Sequence, residues 1–236
     1  MNELLLLVSV ALIYGVILLG YMLFGKSGLF ALSAVASIFA NIEVLILIKA
    51  FGMEQTLGNV LFASTFLMTD ILSECEGKKA ANKAVYIGLF GTLFFLALSA
   101  SWLCFIPSEQ DTVSPAFRQI FTATPRVVCA SLAVYVVSQF FDVWLYHKWW
   151  ALTEKKFGDK KKFLWLRNNG STLVSQMINS LLFTTLAFAG TYDFVTLMSI
   201  FGSGYIIFIF TSLLDTPILY LARRYKNNQN RLLDAG

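Results

Sequence analysis

Apolar runs of membrane-crossing length recur along the chain and are separated by short polar segments. A helix needs about 20 apolar residues to cross the hydrocarbon core of a bilayer, so this pattern predicts seven spanning helices. We place them at approximately residues 4–24, 28–50, 57–74, 84–106, 120–146, 172–190 and 195–222. The sequence therefore predicts an all-α, polytopic transmembrane helical bundle, with residues 1–236 forming a single transmembrane domain.

Composition also favours a membrane protein over a soluble one. Hydrophobic residues make up 57% of the 236 residues and charged residues only 14%, and the mean hydropathy is +0.69. The first apolar run carries Glu3 instead of a basic start, and it is too long for the core of a cleavable signal. We therefore expect this run to remain as the first spanning helix.

The positions of the basic residues predict how the chain is oriented in the membrane. Lysine and arginine concentrate in the first, third and fifth connecting segments and in the carboxyl-terminal tail, which all fall on one side. Because basic loops are retained in the cytoplasm, we predict a multi-pass cell-membrane protein with its amino terminus outside and its carboxyl terminus in the cytoplasm. The net charge of +4 reflects this topology and does not indicate nucleic-acid binding.

Polar side chains interrupt the fifth and sixth apolar runs at helical spacing. The two stripes consist of Ser131, Tyr135, Gln139 and Asp142, and of Thr172, Gln176 and Asn179. A carboxylate or amide inside the membrane is costly, so its default interpretation is a functional site, with hydrogen bonding between helices as the structural alternative. Counted from the cytosolic ends, Asp142 lies level with Gln176, and Gln139 lies level with Asn179. We expect the two stripes to face each other across one cavity.

Three further polar residues are candidates for the same site. Asn41 lies near the middle of the second span, and Asp70 lies near the cytosolic end of the third, at about the depth of Asp142. Asp70 could instead pair with the basic residues that follow its span. Arg126 opens the fifth span, where it could meet a ligand, pair with Glu43 or contact a phospholipid head group.

The chemistry of these residues favours binding over catalysis. The sequence shows no nucleophile–base pair, no glycine-rich phosphate loop and no Cys/His cluster, so we expect neither an enzyme nor a bound metal or cofactor. A carboxylate beside amides suits a planar molecule with adjacent N–H donors, such as a guanine-like base. Tyr135 or Phe183 could stack on such a ring. The spacing does not distinguish a purine from an amino acid or a vitamin.

Several short motifs follow one another in a recognisable order. They are Asn41, Thr69-Asp70-Ile71-Leu72-Ser73-Glu74 with Gly77-Lys78-Lys79, Pro125-Arg126, Ser138-Gln139-Phe140-Phe141-Asp142-Val143, Trp165-Leu166-Arg167-Asn168-Asn169 with Ser171-Thr172, and Ser175-Gln176. Together they resemble the queuosine precursor transporter family, also called the VUT family. The chain departs from the family in carrying Asn179 where an aspartate is usual. Its first span is additional to a six-helix family core.

The resemblance implies import of 7-deazaguanine bases, such as the 7-cyano and 7-aminomethyl forms or queuine, for salvage into tRNA queuosine. It also implies a fold similar to the six-helix substrate-binding subunits of energy-coupling-factor vitamin importers. Under this hypothesis Asp142 accepts hydrogen bonds from adjacent N–H groups of the base. The amides of Gln139, Gln176 and Asn179 then form hydrogen bonds with the remaining polar atoms of the base.

An alternative function is a substrate-binding subunit for another nucleobase or a vitamin, working with an ATPase module. A homodimer is one alternative, since a face of small residues on the second span could dock a second copy or a partner helix; ordinary packing within the chain is the other interpretation of this face. This face comprises Ser33, Ala36, Ser37 and Ala40. The other expected partners are a small-molecule substrate and the lipid bilayer.

Overall fold

The structure is a computed structural model that describes residues 1–122, 125–158 and 162–234. Its elements are α1 (Asn2–Glu43), β1 (Leu47–Ala50), β2 (Met53–Thr56), α2 (Gly58–Cys75), α3 (Lys78–Trp102), α4 (Ser114–Phe121), α5 (Pro125–Phe157), α6 (Leu164–Phe188) and α7 (Phe194–Asp234). Five of the described helices are long and apolar enough to cross a membrane. The prediction of a helical, multi-pass membrane protein is therefore confirmed.

Helix α1 is two helical limbs joined at Gly25, where the backbone adopts φ 59° and ψ −144°. Only glycine takes up such a conformation without strain. The limbs, residues 2–24 and 26–43, fold back on each other. They pack so closely that a Cβ added at Gly28 would lie 2.3 Å from the carbonyl oxygen of Gly20. The first two predicted spans are thus separate helices, as the sequence indicates.

The close approach of the two limbs gives a first prediction. Gly28→Ala should lower the free energy of unfolding by about 2 kcal/mol, because its methyl group collides with backbone that cannot rotate away. The measurement is the thermal unfolding of the purified protein in detergent. Gly15→Ala on the same helix is the matched control, since nothing lies within 4 Å of its added Cβ. Equal melting temperatures for the two variants would contradict this packing.

A β-hairpin follows α1 and corrects one predicted boundary. The second span was expected to continue to residue 50, but the helix ends at Glu43, and strands β1 and β2 pair antiparallel. Phe51 and Gly52 form the two-residue turn with φ of 53° and 75°, which is the type I′ geometry that suits hairpins. A short apolar run has the same hydropathy in a strand as in a helix, so the pattern could not distinguish them.

The hairpin is fixed to its surroundings at both ends. The Asn2 side-chain amide donates to the carbonyl of Lys49 at 2.8 Å, and the Phe51 backbone N–H donates to Glu3 at 3.1 Å. At the open end, the Leu57 N–H donates to the Ile46 carbonyl at 2.9 Å. The strands are therefore held against the start of α1.

Helix α2 lies at the centre of the bundle. Residues 63–73 are all buried, and the helix packs against α1, α3, α5 and α7. A helix enclosed on all sides can carry polar residues only if neighbouring helices satisfy them. This position brings Asp70 into the interior instead of the membrane interface.

The small-residue face of the second span is buried inside this chain. Ser33 donates to the Met68 sulfur of α2 at 3.6 Å, and a Cβ added at Gly88 of α3 would lie 2.8 Å from the Ser37 hydroxyl. Ala36 and Ala40 are also buried. Of the two interpretations of this face, packing within the chain is therefore the one that the structure supports. The small side chains serve close packing among α1, α2 and α3.

Helices α5 and α6 pack antiparallel along their polar stripes. Ser138 donates to the Asn179 side-chain oxygen at 3.3 Å, and Ser175 donates to Asp142 at 2.6 Å. Asp142 and Asn179 therefore each contact the facing helix, through serines that belong to neither stripe. Helix α6 begins at Leu164, eight residues before the predicted span, so residues 167–169 lie within it.

Candidate ligand cavity and the polar cluster beneath it

A cavity of about 820 Å³ lies beside the β-hairpin, between α1, α2, α3, α5, α6 and α7. Its volume falls within the range of about 300–1,000 Å³ that is typical of small-molecule sites. The polar side chains on its walls include Ser37, Asn41, Gln55, Asn59, Thr92, Ser131, Tyr135, Asn179, Ser180 and Thr184. The orientation predicted from basic residues places this cavity in the outer half of the protein.

The structure divides the predicted site residues into two groups. Asn41, Tyr135, Asn179 and Phe183 line the cavity. Asp70, Gln139, Asp142 and Gln176 are buried beneath it and do not form its walls. The side chain of Arg126 lies outside the described part of the structure, so its three alternatives stay open.

Only part of the two stripes therefore faces the cavity. Of the seven stripe residues, three line it, namely Ser131, Tyr135 and Asn179. The stripes do meet, but the serines at 138 and 175 allow α5 and α6 to approach closely at this level. Gln139 instead interacts with α2, where Thr69 donates to its side-chain oxygen at 3.3 Å. The void opens only beyond this packed region, towards the hairpin.

The cavity wall combines an amide with aromatic rings. Asn41 donates to the Ser37 carbonyl at 2.7 Å and accepts from Ser131 at 3.3 Å, which links α1 to α5. The ring of Tyr135 packs edge-on against Phe62, with their centroids 6.2 Å apart. Such a wall offers a flat ligand both hydrogen-bonding groups and a stacking surface.

Gln55 is a cavity residue that the sequence analysis missed. It lies on β2 and is only 5% exposed, and within the described part of the chain neither its side-chain nitrogen nor its oxygen has a hydrogen-bond partner. In the sequence this position falls between two predicted spans, outside the apolar runs that carry the other candidate residues. The signal that could have found it is the Phe51-Gly52 turn, which marks a hairpin.

Beneath the cavity, Asp70 and Asp142 form a buried carboxyl pair. Thr172 donates to Asp70 Oδ2 at 3.0 Å, and Ser175 donates to Asp142 Oδ1 at 2.6 Å. The other two oxygens have no donor among the described residues, and the two carboxyl groups lie within hydrogen-bonding reach of each other. Two full negative charges this close, without water, repel strongly. A single proton held between the two carboxyl groups would relieve this repulsion.

Asp215 of α7 is a third buried acid that the sequence analysis missed. It is 1% exposed and interacts with the Tyr14 hydroxyl, and Asp142 lies near enough to act on it electrostatically. An aspartate within the last apolar run was itself the overlooked signal. Among the described residues, no group of three or more His, Cys, Asp or Glu side chains is placed to hold a metal ion.

A buried ion pair joins four helices at the opposite end from the hairpin. Arg167 donates to both carboxylate oxygens of Glu74, at 2.7 and 2.9 Å, and its guanidinium lies 4.4 Å from the Trp150 ring centroid. Tyr146 donates to Glu74 at 2.7 Å, and Arg223 approaches it at 3.3 Å. Arg167 therefore anchors α6 to the central helix.

A bundle of apolar helices around a cavity of small-molecule size, with acids buried beneath it, has the architecture of a membrane transporter. Residues 56–222 match a family model described as "Putative vitamin uptake transporter". The chain belongs to this family, which confirms the resemblance seen in its motifs.

The chain is also similar to a protein of Bacillus subtilis (strain 168) named "Probable queuosine precursor transporter". The two are 36% identical over 216 residues, which cover 92% of this chain and 92% of the relative. No solved structure matches the chain.

Proposed function

We propose that this protein imports queuosine precursors, the 7-deazaguanine bases that include the 7-cyano and 7-aminomethyl forms and queuine, for salvage into tRNA. The observation that carries this proposal is the 36% identity to the Bacillus subtilis relative over 92% of both chains. Similarity of that extent includes the helices and the hairpin that form the cavity.

The cavity walls support a planar, hydrogen-bonding substrate. Asn41 and Asn179 supply amides, while Tyr135 and Phe183 supply rings that can stack on a flat base. Because these residues come from α1, α5 and α6, a bound base contacts several helices at once. Movement of these helices relative to one another would then release it.

In this conformation the base contacts the cavity walls before it can reach the acid pair. Asp142 lies about two helical turns below Tyr135 along α5, since a turn contains 3.6 residues. The hypothesis that Asp142, Gln139 and Gln176 bind the base therefore applies to a later stage of its passage. At that stage the base would move towards the Glu74–Arg167 ion pair.

The arrangement in the membrane is part of the proposal. We infer an outside amino terminus and a cytoplasmic carboxyl terminus, which makes the cavity outward-facing. We also propose that the second limb of α1 forms, together with α2, α3, α5, α6 and α7, a six-helix core similar to the substrate-binding subunits of energy-coupling-factor importers. The first limb packs onto this core, since Tyr14 donates to the Thr211 carbonyl of α7 at 3.2 Å.

A ligand panel tests the substrate class. We expect 7-cyano-7-deazaguanine to raise the melting temperature of the purified protein, because a ligand that binds only the folded state stabilises it by about 2.7 kcal/mol at 100 times its Kd. Guanine should act more weakly, and thiamine, riboflavin and biotin should have no effect. Stabilisation by a vitamin but not by deazaguanines would exclude the proposed substrate.

Uptake can then be measured in a bacterial strain that neither makes deazaguanines nor imports them. Expression of this chain should restore queuosine in tRNA when the precursor is supplied. Co-purification of the protein with an ATPase module, together with loss of uptake without that module, would instead favour the binding-subunit alternative.

A further inference from the structure

Gln55 lines the cavity, and its amide has no partner among the described residues. Both of its polar atoms are buried, and amides buried in proteins are nearly always paired. Leaving them unpaired makes the folded state less stable than a well-packed apolar side chain would. A cost of this kind is typical of binding sites, where a ligand supplies the missing partners.

The backbone around Gln55 holds the side chain in a defined place. Gln55 pairs with Ile48 in the β-ladder, and the hairpin turn is fixed to the amino end of α1 through Glu3. The next residue, Thr56, donates to the Asn59 side chain at the start of α2 at 3.1 Å. The amide therefore approaches the cavity from a strand, whereas Asn41 and Asn179 approach it from helices.

A primary amide presents a donor beside an acceptor in one plane. Its complement is a ring edge that carries an acceptor beside a donor, such as the N–H and C=O of a cyclic lactam. The six-membered ring of a 7-deazaguanine has this edge. We propose that Gln55 forms two hydrogen bonds with the lactam edge of the substrate and so determines its specificity, a proposal that rests on the proposed function for the identity of the ring.

The probes are 7-cyano-7-deazaguanine and its O6-methyl ether, which lacks the ring N–H and the carbonyl. Purified wild-type protein should bind the parent base about 10-fold to 100-fold more tightly than the ether, as expected for hydrogen bonds that leave buried groups unpaired when lost. Gln55→Leu should weaken binding of the parent by a similar factor and bind both compounds almost equally. Titration calorimetry measures these affinities.

Two further variants separate hydrogen bonding from general disruption. Gln55→Glu keeps the size of the side chain but loses the amide donor, so it should also lose most of the preference for the parent base. Gln110→Leu changes an exposed glutamine in the segment between α3 and α4 and should leave both affinities unchanged. Wild-type affinity and wild-type preference in Gln55→Leu would overturn the proposal.

The melting temperature without ligand gives a test that is independent of the substrate. Gln55→Leu removes two unpaired polar atoms, so it should melt above the wild type. If no deazaguanine binds the wild type while Gln55→Leu still melts higher, the proposed function fails, but the evidence that Gln55 is retained for a polar ligand stands. A variant that melts lower than the wild type would overturn the role of Gln55 itself.

Discussion

Arg167→Leu is expected to lower the free energy of unfolding by about 3–5 kcal/mol, the usual effect of removing one partner of a buried ion pair. The Glu74 side chain is only 3% exposed, so its charge cannot turn to water when the guanidinium is lost. Arg223 remains, with its Nε 3.3 Å from one carboxylate oxygen of Glu74. Thermal unfolding in detergent should show this loss as a lower melting temperature, because the ion pair no longer joins α2 to α6.

A double variant separates loss of the charge pair from loss of the side chain. Glu74→Leu combined with Arg167→Leu should recover much of the stability, because neither charge is then buried alone. Arg223→Leu is the matched control, since this arginine lies at the edge of the cluster and should matter less. Equal damage from the single and double variants would show that packing around the guanidinium, and not charge, dominates.

Asp142→Leu is expected to cost about 3 kcal/mol, the upper end of the range for a lost hydrogen bond to a charged group. The leucine leaves Asp70 as an isolated buried acid with one unpaired oxygen, while Ser175 can still donate to the Ser171 carbonyl at 2.9 Å. Asp142→Asn should cost less than about 1 kcal/mol, because its amide can donate to Asp70 as a protonated acid would.

This pair of variants tests the shared proton directly. If Asp142→Asn is as unstable as Asp142→Leu in thermal unfolding, the carboxyl pair does not behave as one acid and one carboxylate. Asp193→Asn, at an exposed carboxyl before α7, is the matched control. Asp193→Asn should change the melting temperature much less than Asp142→Leu does.

The helices of this protein could be predicted well because the signal that defines them is local. Each apolar run has to be long enough to cross a bilayer, so hydropathy locates it without knowledge of its neighbours. The break at Gly25 also fell between two predicted spans. The same signal failed after Glu43, where an apolar segment forms strands.

The candidate site was predicted in its chemistry more than in its geometry. Helical spacing placed Asp142 level with Gln176, whereas its partner on α6 is the adjacent Ser175, and Asp70 does lie at the depth of Asp142. Gln55 and Asp215 were missed, one because a hairpin was taken for a connection and the other because a single aspartate was overlooked. Neither error came from the chemistry assigned to the side chains.

The sequence by itself determined that this is a multi-pass helical membrane protein, which helix faces are polar and which family it resembles. These properties depend on residue type and on spacing along one chain segment. Only the tertiary structure decided that Asn41 and Asn179 face the cavity while Asp70 and Asp142 pair beneath it. Whether a cavity forms between two helices depends on the side chains packed at every level along them. A polar stripe shows only which side of a helix faces its neighbours.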